Sequence, residues 1–160
     1  MMLMAQSARP WAWIEPIVEK RERTKTMTRE ISKFEDLIDS RDLIEAIEAA
    51  KDSIGDYTLN DDGAYVDVNG QDVTPEVESL EALLAFAKEF EDCAADYAYG
   101  ETAIRDSYFK QYAMELADDI GAVPSDAAWP CTCIDWDMAA RELKQDYTSI
   151  EFDGVTYWTR

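Results

Sequence analysis

Three cysteines and thirty-five carboxylates are the side chains in this sequence that could do chemistry, and histidine is absent. Its absence removes the commonest general base, nucleophile partner and metal ligand. Cys131-x-Cys133 is one residue short of the usual Cys-x-x-Cys zinc knuckle and has no second ligand pair, with Cys93 a single addition. All three are read as free thiols of the core or loops. An EF-hand loop needs an acid at its first position and a glutamate at its twelfth. Placing Asp62-Gly63 at the fifth and sixth puts Thr58 first and Asn69 last, so the stretch fails as a calcium loop and reads as an acidic turn. There is no Gly-rich phosphate loop, no Gly-x-Ser-x-Gly elbow and no acid pair at a recognised catalytic spacing. The expectation is a protein with no enzymatic activity, no cofactor and no metal.

The carboxylates matter as a population instead. Acids outnumber bases 35 to 15, for a formal charge of −20 over 160 residues. Residues 1–26 carry five bases and three acids; residues 27–160 carry ten and 32, a net of −22. Such a charge repels nucleic acid and anionic membrane and strains the compact state by self-repulsion. With 47% hydrophobic residues and 18 aromatics the chain should nevertheless fold, as one domain or two small lobes. Halophilic adaptation is the bland account of the charge; imitation of a polyanion is the sharper one. The odd cysteine count fits a reducing cytosol. No stretch approaches the roughly 18 apolar residues of a membrane span, and no basic n-region precedes the apolar start.

The elements that must position these acids follow from capping and periodicity. Residues 1–26, broken by Pro10 and Pro16, are expected to be a flexible arm or an annotation extension upstream of Met27. Ser32-Lys-Phe-Glu35 is a capping-box pattern predicting a short helix. Ser40 is the expected cap of a helix over 41–52 that buries Leu43, Ile44 and Ile47 and stops at Gly55. The turn signals Asn60-Asp-Asp-Gly63 and Asn69-Gly70 around Ala64–Val68 predict a small hairpin within 57–73. Thr74-Pro75 opens a helix to at least Phe90, and on to Tyr99 with Gly100 as its stop. Its apolar stripe is Val77, Leu80, Leu84 and Ala87, widened by Leu83, Phe86 and Phe90. A further helix is expected over 101–120, burying Ile104, Tyr108, Phe109, Tyr112, Leu116 and Ile120, with Gly121 at its C′ position. After a loop containing Pro124 and Pro130, Asp135 caps a helix over 136–145. The strands 147–152 and 155–158 then turn through Asp153-Gly154. The fold class is α+β: helix-rich, with a small C-terminal β-hairpin and a second short hairpin around 57–73. The expected division is an N-terminal lobe, 27–73, and a C-terminal lobe, 74–160, or one continuous domain 27–160.

On these helices the acids sort onto faces. Glu45, Glu48 and Asp52 recur at spacings of three and four, opposite the buried stripe. Glu78, Glu81, Glu89, Asp92 and Asp96 fall within one sector of roughly 80°, interrupted only by Lys88. Asp118, Asp119, Asp137 and Asp146 extend the set toward the C-terminus. Acids three or four apart lie roughly 4.5–6 Å apart along a helix axis, similar to successive phosphates on a DNA strand. Each like-charged i,i+4 pair costs a few tenths of a kcal/mol. A body of −22 carries the charge of roughly 11 base pairs.

The C-terminal block, Ile134-Asp-Trp-Asp-Met-Ala-Ala-Arg-Glu-Leu-x-x-Asp-Tyr147 with Phe152-Asp-Gly-Val-Thr-Tyr-Trp158, resembles the C-terminal region of ArdA-like antirestriction proteins of phages and plasmids. Tyr99-Gly-Glu101, Asp106-Ser-Tyr-Phe109 and Ala117-Asp-Asp-Ile-Gly-Ala122 extend the likeness over about 97–160. The resemblance implies a DNA mimic that occupies the DNA groove of a type I restriction–modification enzyme in the host cytoplasm. It implies a host DNA-binding complex as partner, with no nucleic acid or membrane bound directly, and leaves a homodimer open. A CRISPR effector, another DNA-binding protein as target, or an acidic structural or assembly protein are the alternatives. Within the block, Trp136, Leu143, Tyr147 and Trp158 read as core and Asp135 as a cap. Asp137, Glu142, Asp146, Glu151 and Asp153 read as surface charge.

Overall fold

The computed structural model describes residues 30–123 and 126–160, so the expectations for 1–26, Met27 and Pro124 lie outside the described residues. The elements in chain order are β1 (Leu37–Asp39), α1 (Ser40–Ile54), β2 (Tyr57–Leu59), β3 (Tyr65–Asp67) and α2 (Thr74–Cys93). They continue with β4 (Thr102–Arg105), α3 (Phe109–Asp119), α4 (Trp136–Leu143), β5 (Thr148–Phe152) and β6 (Val155–Thr159). Short 3-10 turns cover Tyr97–Tyr99, Asp106–Tyr108 and Lys144–Asp146. The fold is α+β with the expected C-terminal hairpin, and β2 and β3 form the expected second hairpin.

A four-stranded antiparallel sheet, ordered β1-β4-β6-β5, is the middle layer. One face carries Ile38, Ala103, Ile150, Phe152 and Tyr157 and packs under α1 and α2, which contribute Leu43, Ala46, Ile47, Leu80, Phe86 and Phe90. The opposite face carries Ile104 and Trp158 and meets Phe109, Tyr112 and Ala113 of α3, Ala140 and Leu143 of α4, and Tyr147. Successive strand residues point to opposite faces, so the neighbours Ala103 and Ile104 belong to different cores. Phe86 stacks on Phe152 with centroids 4.7 Å apart. Tyr157 is fully buried, and its hydroxyl donates to the carbonyl oxygens of Lys33 and Glu35 at 2.9 and 2.8 Å.

Several boundaries differ from the sequence expectation, each for a tertiary reason. The Ser32–Glu35 box forms its local bonds: Phe34 N–H to Ser32 Oγ at 3.3 Å and Ser32 N–H to Glu35 Oε1 at 3.4 Å. No helix follows it. Tyr157 takes the Lys33 and Glu35 carbonyls that a helix would use, and Arg105 N–H takes the Asp36 carbonyl, drawing the chain into β1. Asp39, not Ser40, caps α1, accepting from Arg41 N–H at 2.8 Å. Ser40 is buried, and its hydroxyl donates to Tyr97 O at 2.6 Å and accepts from Glu101 N–H at 2.8 Å. Gly55 ends α1 as expected, at φ 68°.

Thr74 caps no helix with its side chain; its hydroxyl accepts from Tyr65 N–H at 2.9 Å, and Asp72 accepts from Thr74 N–H. α2 stops at Cys93 because Ala94 turns extended and Tyr97 tucks edge-on against Phe90, centroids 5.2 Å apart. Leu84 is 38% exposed, and Phe86 fills the core place expected of it. The helix expected from 101 begins only at Phe109, because Thr102–Arg105 is the interior strand β4. Ile104 is buried either way, which is why helical spacing counted it correctly for the wrong element. Ile120 is 69% exposed rather than core. Asp135 caps α4 through Asp137 and Met138 N–H, and Asp153-Gly154 turns the final hairpin with both residues at positive φ. Trp136 is half-buried, as are Leu143, Tyr147 and Trp158; the deepest residues of the block are Ile150, Phe152 and Tyr157.

Candidate functional site

The outer surface of the α1–α2 layer is built from the acids that its cores leave over. Leu43, Ala46 and Ile47 turn one side of α1 to the sheet, so Glu45, Glu48 and Asp52 stand on the exposed side. Val77, Leu80, Phe86 and Phe90 do the same for α2, leaving Glu78, Glu81, Glu89 and Asp92 exposed. Between the two helices the β2–β3 hairpin adds exposed Asp56, Asp61 and Asp62. From Ser40 to Cys93 the chain holds fifteen acids and three bases, a net of −12.

These carboxylates are not equivalent. Tyr65 OH donates to Glu81 Oε1 at 3.3 Å. Glu89 Oε2 accepts from the Glu151 N–H at 2.9 Å, tying α2 to β5. Asp67 anchors the hairpin turn, and the backbone N–H of Gln71, with Asn69, holds its carboxyl below the ordinary range. Asp72 is held down in the same way by Thr74. Asp67 and Asp72 are therefore structural, whereas Asp61 and Asp62 are exposed hairpin-tip acids. Asp61 and Asp62, exposed at the hairpin tip, are carboxylates that helical spacing alone does not pick out.

The remaining expected residues lie elsewhere. Asp96 is exposed but follows the break at Ala94, so it does not continue the α2 face. Asp118 and Asp119 end α3, Asp137 lies in the first turn of α4 and Asp146 follows that helix, all on the opposite side of the sheet from α1 and α2. Asp137 is ion-paired with Lys110 at 2.8 Å. Of the twelve expected residues, seven stand on α1 and α2, four lie across the sheet, and Asp96 belongs to neither group.

Base placement reinforces that division. Lys33 pairs with Asp153, Arg105 with Asp36, Lys110 with Asp137 and Lys144 with Asp106, around the sheet and the α3–α4 layer. Arg41 pairs with Asp39 at the very start of α1 and holds that carboxyl below its usual range. Cys93, Cys131 and Cys133 are exposed free thiols. Among the described residues, no group of three or more cysteines or carboxylates could hold a metal ion, and no helix is long and apolar enough to cross a membrane. What the α1–α2 surface offers chemically is an array of exposed, negatively charged hydrogen-bond acceptors. No protein-family model, curated protein or solved structure matches the chain.

Proposed function

We propose that the protein is an acidic DNA mimic that inhibits a DNA-binding defence enzyme of the host by occupying its DNA channel. The carrying observation is the outer α1–α2 surface, where exposed carboxylates recur at helical spacing on two neighbouring helices with few bases among them. Carboxylates three or four residues apart present charge at a phosphate-like pitch. The resemblance of 134–158 to ArdA-like antirestriction proteins favours a type I restriction–modification complex as the target. In this reading the C-terminal block is scaffold, because its most buried side chains build both cores.

A single exposed ion pair contributes little, so affinity comes from many weak contacts and from electrostatic steering. Binding then weakens steeply with salt, since the Debye length shrinks from about 10 Å at 0.1 M to about 3 Å at 1 M. The test is competition between the purified protein and duplex DNA for a type I restriction complex across a salt series. Competition that fades with salt supports the proposal. Failure to compete at low salt excludes this target, and competition indifferent to salt excludes the electrostatic mechanism. If a low-salt pull-down from host lysate instead captures a CRISPR effector or another DNA-binding protein, the mimic stands with a different target. Glutamine at Glu45, Glu48, Glu78 and Glu81 separates a mimic from an acidic structural protein, because only the mimic loses its partner.

A further inference from the structure

On the far side of the sheet from the acidic surface lies a shallow depression of about 450 Å³, lined by Asp106, Ser107, Lys110, Asp137, Arg141 and Lys144 together with Ala140. Three bases converge there in a molecule that has few. Two of them are explained by the fold. Lys144 pairs with Asp106 beneath the rings of Phe109 and Trp158, and Lys110 pairs with Asp137. Arg141 is not explained in this way. Its Nε donates to the Asp137 carbonyl one turn back at 3.1 Å, and its carboxylate neighbours Asp106 and Asp137 already have lysine partners. The two terminal nitrogens of its guanidinium remain as donors in the depression, which Ser107 also lines.

We propose that this depression binds a phosphate group. Arg141 supplies a planar fork matched to two oxygens of a tetrahedral oxyanion. Ser107 supplies a hydroxyl donor, and each lysine ammonium has donors beyond the one used in its ion pair. The spacing is set by α4, where Asp137 and Arg141 are one turn apart, and by Lys144, which caps the helix C-terminus at the next turn. Against Asp106 and Asp137, the three bases leave the depression with a local charge of about +1, and the sheet separates it from α1 and α2. At physiological ionic strength charges more than about 8 Å away are largely screened, so the overall negative charge weakens anion binding there without abolishing it. The depression is open, so affinity is modest. The inference is independent of the DNA-mimic proposal, which concerns the other side of the molecule.

Amide NMR titration of the full chain at constant ionic strength tests it, with inorganic phosphate in one series and phenyl phosphate in another. The proposal expects saturable shifts confined to residues 106–110 and 137–144. Tighter binding of the monoester identifies an esterified phosphate as the ligand, and equal binding identifies the free ion; either supports the site. Arg141→Gln should weaken binding about tenfold, as loss of a charge-assisted pair of hydrogen bonds would. Arg141→Lys should recover only part of it, and Arg41→Gln, in a distant ion pair, should leave it unchanged. Shifts that never saturate, shifts spread over the surface, or an Arg141→Gln protein that titrates like the parent would overturn the proposal.

Discussion

Trp158 Nε1 donates to Asp106 Oδ1 at 2.7 Å, and Lys144 donates to the same oxygen. Three separate segments therefore meet on one carboxylate: the turn opening α3, the end of α4 and strand β6. Those two bonds, Lys144 first, hold the Asp106 carboxyl below its usual range. Asp106→Ala should cost about 1–3 kcal/mol in urea unfolding, because it strands a half-buried ammonium and an indole N–H. Combining it with Trp158→Phe should give less than the sum of the single effects, since the two changes remove a shared bond. Additive losses would show that the carboxylate does not couple these segments.

Tyr157 gives an alkaline prediction. Burial pushes its phenol up to about 12 from an ordinary value near 10. A folded value above the unfolded one means that its stabilisation is complete below about pH 10 and is lost as pH rises toward 12. Unfolding free energy should fall across that window, with Tyr147, also raised by burial, contributing in the same direction. Tyr157→Phe should flatten the fall and, at neutral pH, cost about 1–2 kcal/mol through the unpaired carbonyls of Lys33 and Glu35. An unchanged alkaline slope in the variant would assign the effect to other groups.

Self-repulsion predicts a salt response in the free protein. Raising sodium chloride from low ionic strength should raise the melting temperature by screening the exposed acids. The quadruple glutamine variant at Glu45, Glu48, Glu78 and Glu81 should melt higher than the parent at low salt, with the gap closing as salt rises. A variant that melts lower would mean that these side chains hold the fold rather than burden it.

Asp92 and Asp96 provide an internal control for the proposed function. Both are exposed, but only Asp92 lies on α2. Asp92→Asn should weaken competition with DNA, whereas Asp96→Asn should leave it near the parent value. Equal losses would mean that total charge, rather than its arrangement on the helix, drives binding.

Gly100 predicts a backbone defect at the entry to β4. It sits at φ 112°, and a Cβ there would lie 2.7 Å from Arg41 Nε. Gly100→Ala should destabilise by about 1 kcal/mol or more. Adding Arg41→Ala should recover only part of the loss, because the dihedral strain persists when the steric contact is removed. Full recovery would assign the whole cost to the arginine.

Local chemistry made much of this fold legible. The Asp135 cap, the Asp153-Gly154 turn, the Gly55 stop and the 57–73 hairpin each depend on a few adjacent residues, and each is where the sequence places it. The failures share a cause: a distant partner outbid a local preference. Ser32–Glu35 makes its capping bonds, yet Tyr157, more than a hundred residues away, claims the carbonyls a helix would need. Thr102–Arg105 reads as helix because Ile104 fits a spacing of four to Tyr108. Nothing local announces that β1 and β6 lie on its two sides. The acids of α1 and α2 were legible as exposed faces because a core stripe fixes what is left outside. Asp96 was not, because its place on that face assumed a helix that Tyr97 and Ala94 end early. Arg141 carries no sequence signal at all; it stands out only once Asp106 and Asp137 are seen paired with lysines.

The Glu89 carboxylate on the Glu151 N–H also bears on how copies of this molecule behave toward one another. β5 is an edge strand, and an edge that offers free backbone groups is a template for strand addition and aggregation. Alternation along an antiparallel pair turns the Glu151 N–H away from β6, and Glu89 occupies that donor with a negative charge. Net charge keeps molecules apart only while salt is low. This bond instead occupies one outward donor of the edge directly, so that an incoming strand would have to displace a carboxylate to pair there.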